Sequence, residues 1–213
     1  MIPVFNDSTE LARQLEDLRT HFGDVEVIVA DGESWDDPGS VAVAHDALFI
    51  ESEPGRGPQM NAGAGAANGS VLWFLHADSV VDPGSIGAIE RALADPDAVG
   101  GAFRFSLAKK TWYKPMLDAS VGWRTNTLRQ AYGDQGIFVR AEVFRLLGGY
   151  PPIARMEDLV FFRRLRDTGP VAALDTPIGV NPRRWERDGF LRTTARNLIA
   201  WWWWDLRGKG RGR

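Results

Sequence analysis

The run VLWFL, Val71–Leu75, leads directly into His76, Ala77 and Asp78. A short apolar run with β-branched and aromatic members reads as a strand buried on both faces. An imidazole and a carboxylate at its carboxyl end fall where an open α/β sheet binds its ligands. A carboxylate there suits a hard divalent cation, magnesium or manganese, which takes one or two protein ligands and completes its shell with water and substrate phosphate. Such a cation would neutralise a departing diphosphate. Turn chemistry also places acids at strand ends, and for Asp31, after VEVIVA (Val25–Ala30), the two readings balance. His76 equally suits a strand-end residue hydrogen-bonded to a loop.

The elements that must position these groups follow from periodicity. Ile2–Phe5 reads as a strand. Asp7 and Glu10 have capping-box spacing, and Leu11, Leu15 and Leu18 form the apolar stripe of a helix ending near Gly23. After VEVIVA come a short helix from Pro38, a strand at Ala47–Glu51, and a helix-competent segment, Gly57–Asn68. Asp82-Pro83 has the order expected of a cap followed by a first helical residue. Further on are a strand at Ala98–Phe105, a helix from about Trp112 to Leu128 and a helix starting near Glu157. Strand and helix alternate, which predicts one α/β domain with a mostly parallel central sheet flanked by helices. Gly63–Asn68 nearly forms a dinucleotide fingerprint, but Asn68 replaces its third glycine. Close helix-to-sheet packing explains that run better.

Composition narrows the function. The 213 residues are 44% hydrophobic and 25% charged, with a net charge of -3, which disfavours a dedicated nucleic-acid binder. With no cysteine, thiolate catalysis and disulfides are excluded, and zinc would rely on three histidines and carboxylates. The start MIPVFND lacks a signal-like core and no apolar run reaches membrane-spanning length, so a cytoplasmic protein is expected.

In chain order, IPVFND, VADGES, FLHADS, MEDLVF and RRW resemble the family-2 inverting glycosyltransferases of the GT-A fold. The segments RGPQMNAG (56–63), GDQ (133–135) and RRWER (183–187) resemble a small stand-alone bacterial subgroup of that family. The resemblance covers residues 2 to about 187 and implies a glycosyltransferase domain over 1–187, followed by a C-terminal helix and tail over 188–213. It implies a nucleoside diphosphate sugar as donor, uridine diphosphate favoured, a hydroxyl acceptor, and Mn2+ or Mg2+ as cofactor. Asp31 would hydrogen-bond the base, and Arg56 and Asn61 would line the nucleotide pocket. His76, Ala77 and Asp78 occupy the place of the family's Asp-x-Asp, with Asp78 as metal ligand. Asp158 would be the general base, with Glu157 beside it as the other candidate carboxylate. Arg183, Arg184 and Trp185 would lie over the diphosphate or the acceptor.

Residue chemistry weighs on several of these roles. An acid in the first turn of a helix is favoured by the dipole alone, which accounts for Asp158 without catalysis. Two guanidiniums beside an indole suit bidentate phosphate contacts and sugar stacking. Asp134 and Gln135 are either turn residues or hydrogen-bond partners for sugar or acceptor hydroxyls. The chain departs from the family pattern at His76, in place of the first acid, and at Met60, where an arginine is common. Its very short first strand also allows an upstream start. Two other classes fit parts of the chain. A sugar-nucleotide pyrophosphorylase shares the α/β plan but opens on a Gly-rich basic loop absent here, and a non-catalytic membrane-surface or partner-binding protein would use the tail.

That tail is distinctive. Residues 183–213 hold nine Lys/Arg against three Asp/Glu, and five of the nine tryptophans, including Trp201–Trp204. Indoles prefer the membrane interface and basic side chains are drawn to anionic lipid. The tail is therefore expected to lie on the inner face of the cell membrane, or to form a homodimer.

Overall fold

The computed structural model describes residues 1–196 and Ile199. The tryptophan run Trp201–Trp204 and the basic residues after it lie outside the described residues, and so does the expectation attached to them. The chain divides into two compact units, Met1–Val180 and Asn181–Arg213. Among the described residues, no helix is long and apolar enough to cross a membrane.

The first unit opens with the expected alternation. β1 (Ile2–Val4), α1 (Ser8–Phe22), β2 (Ile28–Asp31), α2 (Pro38–Ala44), β3 (Leu48–Glu51) and α3 (Arg56–Ala66) follow in order. β1 pairs with β2 and β2 with β3, both in parallel. Leu11, Leu15 and Leu18 turn the buried stripe of α1 onto this sheet. Asp7 occupies the N-cap but its side chain makes no capping bond, while Asp37 does cap α2 by accepting the Ser40 N–H at 3.1 Å. β4 (Val71–Trp73) joins the far side of β1: the Met1 nitrogen donates to Trp73 O and the Leu75 N–H to Met1 O, the bonding of a parallel pair.

The second half is mixed. α4 (Ser85–Leu93) starts two residues beyond Pro83, because Asp82 accepts the Gly84 N–H in a preceding turn. β5 (Gly100–Leu107), α5 (Lys114–Leu128), a short 3-10 turn (Gly133–Gln135), β6 (Phe138–Arg140), α6 (Ala141–Leu146), α7 (Glu157–Thr168) and β7 (Val171–Val180) complete the unit. The order is β4-β6-β5-β7, with β6 antiparallel to both neighbours and β7 parallel to β5. β7 carries Pro177 and Asp175, which disguise it in sequence. As it pairs within the sheet only with β5, a missing N–H is tolerated there.

Two apolar clusters hold the layers together, one joining α1 to the β1–β2 side and one centred on Phe74, Phe144, Tyr150 and Phe161. In the second cluster the Tyr150 and Phe161 rings lie 4.4 Å apart, and fully burying each such ring contributes about 1.5–3 kcal/mol. At Gly63 an added Cβ would run into the end of the Met1 side chain and touch Ala30, in keeping with the packing role read for the Gly/Ala run.

Candidate active site

The parallel strands deliver their carboxyl ends to one edge, and three groups of residues assemble along it. The first group surrounds Asp31, the last residue of β2, which is buried and accepts the Ser34 N–H with both carboxylate oxygens at 3.1 and 3.3 Å. Loops from β1 and β2 are laced together here. The Asn6 N–H donates to Ser34 Oγ, Asn6 Oδ1 accepts from Trp35 N, and Asp36 Oδ2 accepts from Ser8 N. This lacing presents Phe5 and Trp35 to solvent at 59% and 83% exposure, two aromatic faces that residue patterning had not singled out. Gln59, inside the RGPQMNAG segment, was also missed. It is buried, and its amide donates to Val4 O at 2.6 Å and Ala30 O at 2.8 Å, clamping the ends of β1 and β2.

The second group is the turn after β4. Ser79 N–H donates back to His76 O, so His76, Ala77, Asp78 and Ser79 form one tight turn with Ala77 buried inward. Val80 then makes a reciprocal pair of 2.8 Å backbone bonds with Gly179 of β7. The turn is thus fixed at both ends, by the sheet before it and by β7 after it.

The third group opens α7. Asp158 is buried, with Oδ2 accepting the Gly133 N–H and Oδ1 the Leu159 N–H, each at 2.7 Å. A carboxylate oxygen has two lone pairs, so each can still accept another hydrogen bond. A Cβ added at Gly133 would lie 3.2 Å from both Asp158 Oδ2 and His76 Nε2. Those two atoms are therefore no farther apart than twice that distance, and only a glycine leaves the space between them open. The fold brings His76 and Asp158, 82 positions apart in sequence, onto the two sides of one backbone atom.

Glu157 behaves differently from its neighbour. It is 2% exposed, and Arg56 Nε of α3 stands 2.8 Å from its Oε1. Burial pushes its carboxyl above the usual range, opposed by the Arg56 charge and reinforced by Asp158. Arg56 is nearly half exposed and so is shared between this buried acid and solvent. The Tyr150 hydroxyl, fully enclosed beside these acids, is raised well above its ordinary value by burial and by the charges of Asp158 and Glu157.

Several candidates are bonded to the protein itself. Asn61 donates to Tyr150 O and accepts the Tyr150 N–H, at 2.9 and 2.8 Å, which uses its amide to hold the chain ahead of α7. Gln135 is fully buried: Nε2 donates to Phe103 O and Thr125 Oγ1, while Oε1 accepts from Arg124 Nη2 and the Tyr132 N–H. The Arg124 guanidinium also lies 3.7 Å over the Tyr132 ring, whose hydroxyl is pushed up to about 12, chiefly by burial. Asp134 sits half-buried in the same 3-10 turn. Arg183, Arg184 and Trp185 fall in the second unit, on α8 (Arg183–Asp188), where Trp185 is buried. Asp188, at the end of that helix, pairs with Arg187 at 2.8 Å and with Arg196 beyond the helix at 3.2 Å.

Backbone strain gathers around the same edge. Asn6, Glu33 and Asp37 have φ of 51°, 67° and 56° in the loops framing Asp31, and Met156, just before Glu157, has 64°. Left-handed conformations at non-glycine residues persist where the surroundings over-determine them, commonly at functional sites. An apolar pocket of about 390 Å3, lined by Leu18, Phe22, Trp73, Ile89 and Leu93 among others, includes none of these groups.

Parallel strands flanked by helices in this order form the GT-A arrangement of nucleotide-diphospho-sugar transferases. The model of Glycosyl transferase family 2 matches residues 1–148, and the chain belongs to that family. Two uncharacterized glycosyltransferases of Mycobacterium tuberculosis, from strains CDC 1551 / Oshkosh and ATCC 25618 / H37Rv, are each 34% identical over 110 residues. That alignment takes in 48% of this chain and 42% of theirs, so the chain spans less than half the length of the curated relatives it matches. Among solved structures, M. tuberculosis glucosyl-3-phosphoglycerate synthase in complex with Mn2+, uridine diphosphate and glucosyl-3-phosphoglycerate superposes with a TM-score of 0.61. The sequences are 18% identical, over 83% of this chain and 68% of that one. A mannosyltransferase from Pyrobaculum calidifontis, in complex with GDP-Man and Mn2+, gives 0.59 at 19% identity, over 83% and 53%. At these identities the likeness establishes the fold.

Proposed function

We propose that the chain is a metal-dependent inverting glycosyltransferase that moves a sugar from a nucleoside diphosphate to a hydroxyl acceptor. The observation that carries this reading is Asp158, held by two backbone N–H groups across Gly133 from His76, at the edge where the Asp78 turn ends β4. Asp158 is the base and Glu157 is not, because Glu157 is committed to Arg56. Asp158 takes the acceptor hydroxyl proton as that oxygen attacks the anomeric carbon, and the bond to the diphosphate breaks with its electron pair leaving on phosphate oxygen. One displacement inverts the centre.

Among the described residues no cluster of three His, Asp or Glu side chains could hold a metal ion by itself. Asp78, with His76 two residues before it on the same turn, suits a cation that completes its shell with water and the donor's phosphates, as Mn2+ or Mg2+ does. That ion, when bound, would offset charge on the departing diphosphate. Asp31 would accept hydrogen bonds from the base, and Phe5 and Trp35 offer it stacking faces. Arg56 would contact phosphate, and Asp134 the sugar or acceptor. The cytoplasm, at the inner membrane face, is the compartment this donor chemistry suits.

A melting-temperature panel of uridine and guanosine diphosphates, with and without Mn2+, tests the donor class. Binding at 100-fold Kd stabilises by about 2.7 kcal/mol. Asp78→Asn should keep the fold and lose most of the Mn2+-dependent part. An equal Mn2+ effect in the variant would remove Asp78 as ligand, and no stabilisation by any nucleotide would remove the donor assignment.

A further inference from the structure

Helix α5 is apolar on two opposite sides. Leu117, Val121 and Thr125 form its buried face. A fully buried helix is expected to be apolar all round, but this one has its second apolar side in solvent. Met116 and Trp123, two turns apart and therefore on one face, are 55% and 61% exposed, with Pro115 and Ala119 exposed beside and between them. Trp112, in the turn that opens the helix, is 79% exposed.

Charge on this segment is one-sided. The exposed positions between Ala108 and Arg129 include Lys109, Lys110 and Arg129 and no carboxylate. The one acid in the segment, Asp118, is tied inward, 2.8 Å from Lys114 Nζ and accepting the Leu107 N–H. This occurs in a chain whose net charge is -3. Exposed indoles with a methionine between them, bordered by cations and free of surface acids, match the chemistry of a lipid headgroup layer, where indole rings partition and basic side chains meet anionic phosphates.

We propose that the exposed face of α5, with the turn before it, docks on an anionic lipid bilayer. The proposal does not depend on the donor chemistry. In the chain, α5 leads directly into the Arg124–Gln135 knot and the Gly133 turn that holds Asp158.

The absence of cysteine allows a clean test on the full chain. Met116→Cys carries an environment-sensitive dye, and Val43→Cys, 71% exposed on α2, carries the control dye. With vesicles of phosphatidylglycerol and phosphatidylcholine, the dye at 116 should shift to the blue and be quenched by brominated acyl chains. The dye at 43 should not respond, and pure phosphatidylcholine should give a much weaker effect. Lys110→Gln should weaken binding to the anionic vesicles about fivefold. Asp158→Asn should bind vesicles as the unsubstituted protein does, so loss of the catalytic reading leaves this one standing. The proposal is overturned if the protein fails to bind the vesicles, or binds without change at position 116. A concentration-dependent shift at 116 without lipid would also overturn it, in favour of a second copy of the chain.

Discussion

The sheet edge around Asp31 and the acid pair opening α7 both present buried carboxylates, yet they are built by different means. Asp31 is braced from nearby in sequence, by Ser34 three residues on. Asp158 is braced by Gly133, 25 residues back, and the chain leading to it is held by Asn61, 89 residues from Tyr150. The Asp31 carboxylate itself is held by its own turn, though Asn6 and Gln59 lace the surrounding loops, whereas one oxygen of Asp158 depends on a distant backbone donor. Substitutions near Asp31 should therefore act locally, whereas those around Asp158 should couple chemistry to stability.

The sharpest way to break the comparison is at the base. Asp158→Asn keeps the volume but cannot take a proton, and its amide NH2 must face one of the two backbone N–H donors. Nucleoside diphosphate release should fall roughly 10²- to 10⁴-fold. Glu157→Gln should retain far more turnover, and the opposite ranking would exchange the two roles. Next is Gly133→Ala. Its methyl would press between His76 and Asp158, and turnover should drop on the order of 10- to 100-fold, with folding largely kept.

How far each half could be read from sequence follows the same division. β1 to β4 and their helices were legible because local periodicity and turn residues specify parallel βα units. Asp31, His76 and Asp78 stood out as strand-end groups for that reason. Gln59, Gln135 and Asn61 gave no such signal. A buried amide looks like any surface amide until the carbonyls it must satisfy, Val4 and Ala30 or Phe103, are folded next to it. β7 was hidden because an edge strand tolerates a proline that argues against a central one. The helix after Pro83 was misplaced by two residues because Asp82 serves a turn instead of a cap.

Those amides provide the third test, a comparison of stabilities. Gln135→Met strands a buried carbonyl, a guanidinium and a backbone N–H, and should cost about 3 kcal/mol in urea unfolding. Gln59→Met should cost roughly 1–2 kcal/mol, since Val4 O keeps the Gly32 N–H. Equal costs would mean that the two halves are braced alike.

The smallest effect concerns Glu157. Its carboxyl is raised in the folded state, first by burial, so the folded protein holds that proton more tightly than the unfolded chain. This contribution to stability is complete below the ordinary value of 4.5 and is lost as pH rises through the elevated folded value. Glu157→Gln cannot titrate. The stability of the unsubstituted protein relative to this variant should therefore decline as pH rises across that window, in parallel chemical-denaturation curves. A difference that is flat with pH would show that Arg56 cancels the burial.

The Val80–Gly179 bridge has a consequence for the newly made chain. Residues 76–79 leave the ribosome early, but the strand that fastens the turn's far end is synthesised about a hundred residues later. Amino-terminal parts fold first during synthesis, so the βα units can assemble while the His76–Ser79 turn is still fastened on one side only. A nascent or truncated chain ending before Val171 would carry each of its proposed catalytic carboxylates without the rung that sets Asp78. On the reading proposed above, turnover should therefore require a chain that extends through Gly179.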